Sequence, residues 1–148
     1  MKNLRIYKVS FNKNIYDSFY EFLTDIEKEK INTLDISGTF SYNIEEKCVI
    51  YLLISYSDMT RYKSILDKNL IPYLCNDFSD IVINGEVNLE FELESYIDFY
   101  NYSDYDNFIY LTNQWILSNL ELDPILDRIN LYGVDSLRPI DKEFLKSV

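Results

Sequence analysis

Polar and apolar positions alternate over residues 4 to 11, with Arg5, Tyr7, Val9 and Phe11 on one side and Leu4, Ile6, Lys8 and Ser10 on the other, which predicts a first β-strand. From Ile15 the interval lengthens. Ile15, Phe19, Phe22, Leu23 and Ile26 recur at helical spacing, Asp17, Glu21 and Asp25 flank them, and Lys28 and Lys30 suit a C-terminal end, so a helix is expected over residues 14–31. Two strand-like runs follow, residues 35–42 and 47–56, and the polar turn Asn43-Ile44-Glu45-Glu46 between them reads as a hairpin. The second run is apolar almost throughout, as a central strand covered on both faces is. Ser57 offers an N-cap, and Met59, Tyr62, Ile65, Leu66 and Leu70 predict a second helix over residues 58–70, ending before Pro72.

Beyond Asp80 the pattern reads as strand again. Ile81-Val82-Ile83, the pair Asn84-Gly85 and a long following arm predict a hairpin with a type I′ turn. In that arm Val87, Leu89, Phe91, Leu93, Ile97 and Phe99 fall on the expected buried face. Glu90, Glu92, Glu94, Tyr96, Asp98, Tyr100 and Tyr102 fall on the expected wet face. Ser103 and Asp106 have the spacing of a capping box before a helix carrying Phe108, Leu111, Trp115, Ile116 and Leu120, read as a core-packing helix. Asp123-Pro124 opens a further helix that Gly133 closes, and a last one runs from Pro139 to Lys146. The expectation is therefore a single α+β domain over residues 1–148. Its antiparallel sheet carries helices on one face in β-α-β-β-α-β order, as in ferredoxin-like sheets, with an extra hairpin arm and a C-terminal helical cap.

Charge changes the picture. The chain carries a formal net charge of −11. Residues 1–68 contain ten acids and ten bases, and residues 128–148 contain three acids and four bases. Residues 69–127 contain twelve acids and neither Lys nor Arg, so the negative charge belongs to that segment. On a strand, Glu90, Glu92 and Glu94 would form a row spaced about 6.8 Å, roughly half the charge density of one DNA strand. Tyr96, Tyr100 and Tyr102 would interleave the row with flat amphipathic rings, Tyr105 and Tyr110 follow, and Asp98, Asp104 and Asp106 extend the acidity. Tyrosine brings contact area at little entropic cost, and a basic partner can pair Arg with carboxylates and stack guanidinium on the rings.

Candidate chemistry narrows accordingly. The sequence contains no histidine, which removes Ser-His-Asp, Cys-His and HExxH mechanisms, and it has neither a Gly-Lys-Ser/Thr phosphate loop nor GxGxxG. Its two cysteines, Cys48 and Cys75, form no zinc motif, and Cys48 sits in an apolar run as a buried, inert thiol would. A carboxylate-only Mg²⁺ site built from Asp77, Asp80, Glu90 and Glu92 lacks a nearby cation to steady developing charge. The N-terminal stretch from Met1 has no apolar signal core and no run is long enough to span a membrane, so a cytoplasmic protein without a cofactor is expected. Direct nucleic-acid binding is disfavoured, since phosphate affinity comes from Lys and Arg. The charge and size match those of acidic DNA-mimic and anti-CRISPR-type inhibitors. The expected function is a non-catalytic inhibitor of a basic nuclease or CRISPR-type defence effector. Glu90, Glu92, Glu94, Tyr96, Asp98, Tyr100, Tyr102, Asp104 and Asp106 would make the contact. An immunity protein or antitoxin masking a basic toxin is the alternative, and a Mg²⁺-dependent carboxylate enzyme a further one.

Overall fold

The computed structural model describes residues 3–148, so the expectation resting on Met1 and Lys2 lies outside the described residues. The fold is α+β, with a four-stranded antiparallel sheet and eight α-helices among the described residues. The chain divides into two compact units, one ending at Phe78 and the other spanning Ser79–Val148.

The first unit contains the whole sheet. Its elements are β1 (Leu4–Asn12), α1 (Lys13–Phe19), α2 (Asp25–Asn32), β2 (Ile36–Ile44), β3 (Lys47–Ser55), α3 (Tyr56–Lys68) and β4 (Leu74–Asp77), and the strands lie in the order β2-β3-β1-β4. β3 pairs with β1 from Leu4 opposite Ser55 to Asn12 opposite Lys47, and with β2 on its other side. Its residues Cys48 through Ile54 are all buried, as the unbroken apolar run requires of a central strand. One sheet face, carrying Val9, Phe11, Ile50, Leu52 and Ile54, packs with Phe19, Leu23, Met59, Ile65 and Leu66 from the helical segments. The opposite positions Ile6, Phe40, Tyr51 and Leu53 are buried as well, and Phe78 lies edge-on to Tyr51 at 6.2 Å.

Two local expectations are corrected by the first unit, and it adds a strand where none was expected. The helix expected over residues 14–31 is two helices separated by a 3-10 turn at Tyr20–Phe22. Thr24 restarts the chain as an N-cap: its hydroxyl accepts from Glu27 N while Glu27 Oε1 accepts from Thr24 N. The N-cap of α3 is Ser55 rather than Ser57, with Ser55 Oγ accepting from Asp58 N at 3.2 Å. The fourth strand is the short Leu74–Asp77, which pairs with Tyr7–Ser10 of β1.

The second unit overturns the expected long hairpin. Its elements are α4 (Ser79–Ile83), α5 (Leu89–Glu94), α6 (Tyr102–Asn119), α7 (Leu122–Tyr132) and α8 (Pro139–Lys146), with no strand among them. Asn84-Gly85 does not join two strands; Gly85 turns the chain out of α4 with φ +81°. The expected Ser103–Asp106 capping box does not start α6, whose N-cap is Asn101. The closing Gly133, with φ +85°, and the helix Pro139–Lys146 are as expected. Phe108, Trp115 and Ile116 are buried, which fits the core reading of their helix.

A buried ionic node ties three of these helices together. Asp141 is 0% exposed and accepts from both terminal guanidinium nitrogens of Arg128, at 2.9 and 3.2 Å. Arg138 approaches it with Nε at 3.1 Å, Nη2 at 3.0 Å and its backbone N at 2.9 Å. Burial alone would raise the Asp141 pKa, but the bonds from Arg138 and Arg128 outweigh it and hold the carboxyl at about 2. Arg138 also donates to the carbonyls of Val82 at 2.7 Å and Ile83 at 2.6 Å, satisfying oxygens at the end of α4. A Cβ on Gly85 would stand 3.0 Å from Arg128 Nη1 and 3.1 Å from Arg138 Nε, so glycine serves both the turn and the approach of the arginines.

Candidate partner-binding surface

The acidic residues singled out by the sequence lie in the second unit, on helices and a loop instead of one strand face. In α5, Leu89 and Leu93 are buried and Phe91 is 74% exposed. A spacing of four residues satisfies both a strand and a helix, and the residue midway between decides. On a strand Phe91 would share the buried face with both leucines; on a helix it turns away from them. Asn88 starts the helix, its Oδ1 accepting from Phe91 N at 3.3 Å.

The helix redistributes the acids. Glu90 and Glu94 are one turn apart and share a side, whereas Glu92 points about 200° away from Glu90 around the axis. The even row of three carboxylates therefore does not exist. In its place Glu90, Glu94, Tyr102 and Asp106 gather around Tyr105 of α6. Burial raises the Tyr105 pKa first, and the nearby carboxylates of Glu90, Glu94 and Asp106 raise it further. The Tyr105 hydroxyl donates to the Glu90 carbonyl at 3.4 Å, and Asn113 Nδ2 donates to Glu90 Oε1 at 3.4 Å. Asp104, two residues from Asp106, projects from a different side of α6.

The loop between α5 and α6 holds the remaining candidates. Asp98 Oδ1 accepts from Tyr100 N at 2.8 Å and Asn101 N at 3.0 Å, while Asn101 Oδ1 accepts from Asp98 N at 2.7 Å. Asn101 Nδ2 donates to the Tyr96 carbonyl at 3.0 Å, closing the loop at its base. Asp98 is thus a loop-forming residue as well as a charge. Of the nine sequence candidates only Tyr96 is half-buried; the other eight are exposed. Phe99, expected on the buried face, is 93% exposed, because it lies in the loop after α5 and not on a strand.

The sixteen residues lining a cavity of about 430 Å³ all belong to the same unit, among them Val82, Leu89, Ile109, Thr112, Asn113 and Arg138. Thr112 Oγ1 is buried there without a hydrogen-bond partner. Among the described residues no group of three or more Asp, Glu, Cys or His side chains is placed to hold a metal ion. Of the Mg²⁺ candidates, Asp77 pairs with Arg5 Nε at 2.8 Å, and Glu90 and Glu92 diverge on α5. Burial raises the thiol pKa of Cys48, in keeping with an inert role. No helix among the described residues is long and apolar enough to cross a membrane.

Comparison with known proteins yields no match to a protein-family model, to a curated protein or to a solved structure. The surface is therefore read from its own chemistry. Ser79–Val148 contains fourteen acids and four bases, a net charge of −10, whereas the first unit contains eleven acids and ten bases. Two of those four bases, Arg128 and Arg138, are spent on Asp141, leaving the acids of α5, the loop and α6 uncompensated by them.

Proposed function

We propose that the protein is a non-catalytic inhibitor whose acidic second unit binds a basic nucleic-acid-binding partner, a nuclease or a nucleic-acid-guided defence effector, and occupies the surface that partner uses for phosphates. The observation that carries this reading is the concentration of nearly all the net charge in one unit, with exposed carboxylates and tyrosines side by side. Like charges are not gathered for the stability of a fold, since they repel one another. They do raise the association rate with a cationic surface, and they compete for the arginines and lysines that otherwise hold phosphates.

The test is affinity capture on the wild-type chain and on the triple variant Glu90→Lys, Glu94→Lys, Asp106→Lys, read by mass spectrometry at low and high salt. The expected result is a basic nucleic-acid-binding protein retained by the wild type, released by salt, and lost from the variant. Retention of the same protein by both chains would remove this surface from the account. Capture of a single small toxin would replace nuclease inhibition with immunity function.

A further inference from the structure

We infer that Phe99 and Tyr100 form a preorganised aromatic anchor that inserts into an apolar recess on the cationic surface of the partner, so that this pair supplies specificity while the carboxylates of the same unit supply attraction. The inference rests on the proposed binding function and names the residues that do the discriminating. Phe99 and Tyr100 are 93% and 91% exposed, and their rings meet edge to face with centroids 5.8 Å apart. Leaving two adjacent aromatic side chains in water forgoes the free energy that burying them would gain.

Exposure on a floppy loop would mean little, but this loop is tied. The reciprocal bonds between Asp98 and Asn101, at 2.7 and 3.0 Å, and the bond from Tyr100 N to Asp98 Oδ1, at 2.8 Å, fix the backbone around the two rings. The Asn101 bond to the Tyr96 carbonyl anchors that turn to the end of α5. An anchor already held in its binding conformation loses little entropy on docking, which is where such residues gain their affinity. Tyrosine is also among the side chains enriched at the energetic centres of interfaces.

Charge selects the occupant. A second copy of the chain would bring another unit of net charge −10 against the first, and repulsion opposes that pairing. A cationic surface is attracted to the carboxylates of Glu90, Glu94 and Asp106, and its arginines can also stack on Tyr102. The two rings then need a recess lined by apolar side chains. The partner is thus a basic protein face with an apolar pocket in it, and a uniformly charged polycation matches only half of the surface.

Two fluorescent peptides of equal positive charge separate the halves: an oligo-arginine, and one in which leucines alternate with the arginines. Binding of each to the full chain is measured by anisotropy, with the wild type, the double variant Phe99→Ala, Tyr100→Ala and the charge-reversed triple variant. The wild type is expected to bind the leucine-containing peptide roughly tenfold more tightly than the oligo-arginine. The double variant should lose that preference while keeping its affinity for oligo-arginine, and the triple variant should lose both peptides. Equal binding of the two peptides by the wild type, or a preference that survives the double variant, overturns the aromatic anchor and leaves the acidic reading standing. Binding of neither peptide overturns both. Sedimentation of the wild type and double variant adds a check: a wild-type dimer that the double variant abolishes would show the rings to be covered by a second copy instead.

Discussion

Asp141 is a point where the second unit is held by charge, because two arginines and the start of α8 converge on its one buried carboxylate. Removing its charge leaves Arg128 and Arg138 without their common partner, and breaking a buried pair in this way costs about 3–5 kcal/mol. Asp141→Asn is therefore expected to lower the stability of the chain by that amount in urea unfolding followed by circular dichroism. The same carboxyl sets an acid limit. Its pKa is depressed from 3.8 to about 2 in the folded state, so its contribution is complete above the unfolded value and disappears as pH falls from about 4 towards 2. The urea midpoint of the wild type should drop through that window, and the drop should be smaller in Asp141→Asn. Gly85→Ala adds an independent check on the node: the positive φ and the 3.0 Å approach of Arg128 both oppose a Cβ, and a loss of more than about 1 kcal/mol is expected.

Among the elements, α5 shows how an even spacing misleads. Leu89 and Leu93 are buried on a helix and would be buried on a strand, so both readings agree on them, while Phe91 separates the two. Composition already leaned towards a helix, since Leu and Glu favour helices and Glu is scarce in strands. Leu93→Ala should cost about 2–5 kcal/mol, whereas Phe91→Ala should change stability by no more than about 0.5 kcal/mol. Comparable losses at both positions would restore the strand. Elsewhere, the elements that were legible were those with an unambiguous signal: the alternation of β1, the unbroken apolar run of β3, the helical stripe of α3 and Pro139 at the start of α8. The break between α1 and α2 was obscured by the stripe through Phe22 and Ile26, both of which are exposed, although the Thr24-x-x-Glu27 capping signature stood in the sequence. The candidate surface was legible in its residues but not in its arrangement, because carboxylates announce charge and not direction. Phe99 carried no separate signal in a sequence where apolar residues usually mark the core.

For the molecule as a whole, the division of charge coincides with the division into units: the nearly neutral sheet unit ends at Phe78, and the helical unit beyond it holds −10 of the −11. Association with a basic partner should therefore slow with rising salt, and charge changes confined to residues 79–148 should carry most of that dependence. The most direct measurement is competition. A basic nucleic-acid-binding protein retained by the chain is mixed with a labelled oligonucleotide it binds, and the chain is titrated in while the labelled complex is followed by gel shift. Progressive displacement of the oligonucleotide by the wild type, and none by Glu90→Lys, Glu94→Lys, Asp106→Lys, is the predicted result. A ternary complex in which oligonucleotide and protein bind the partner together would contradict occupation of the phosphate-binding surface.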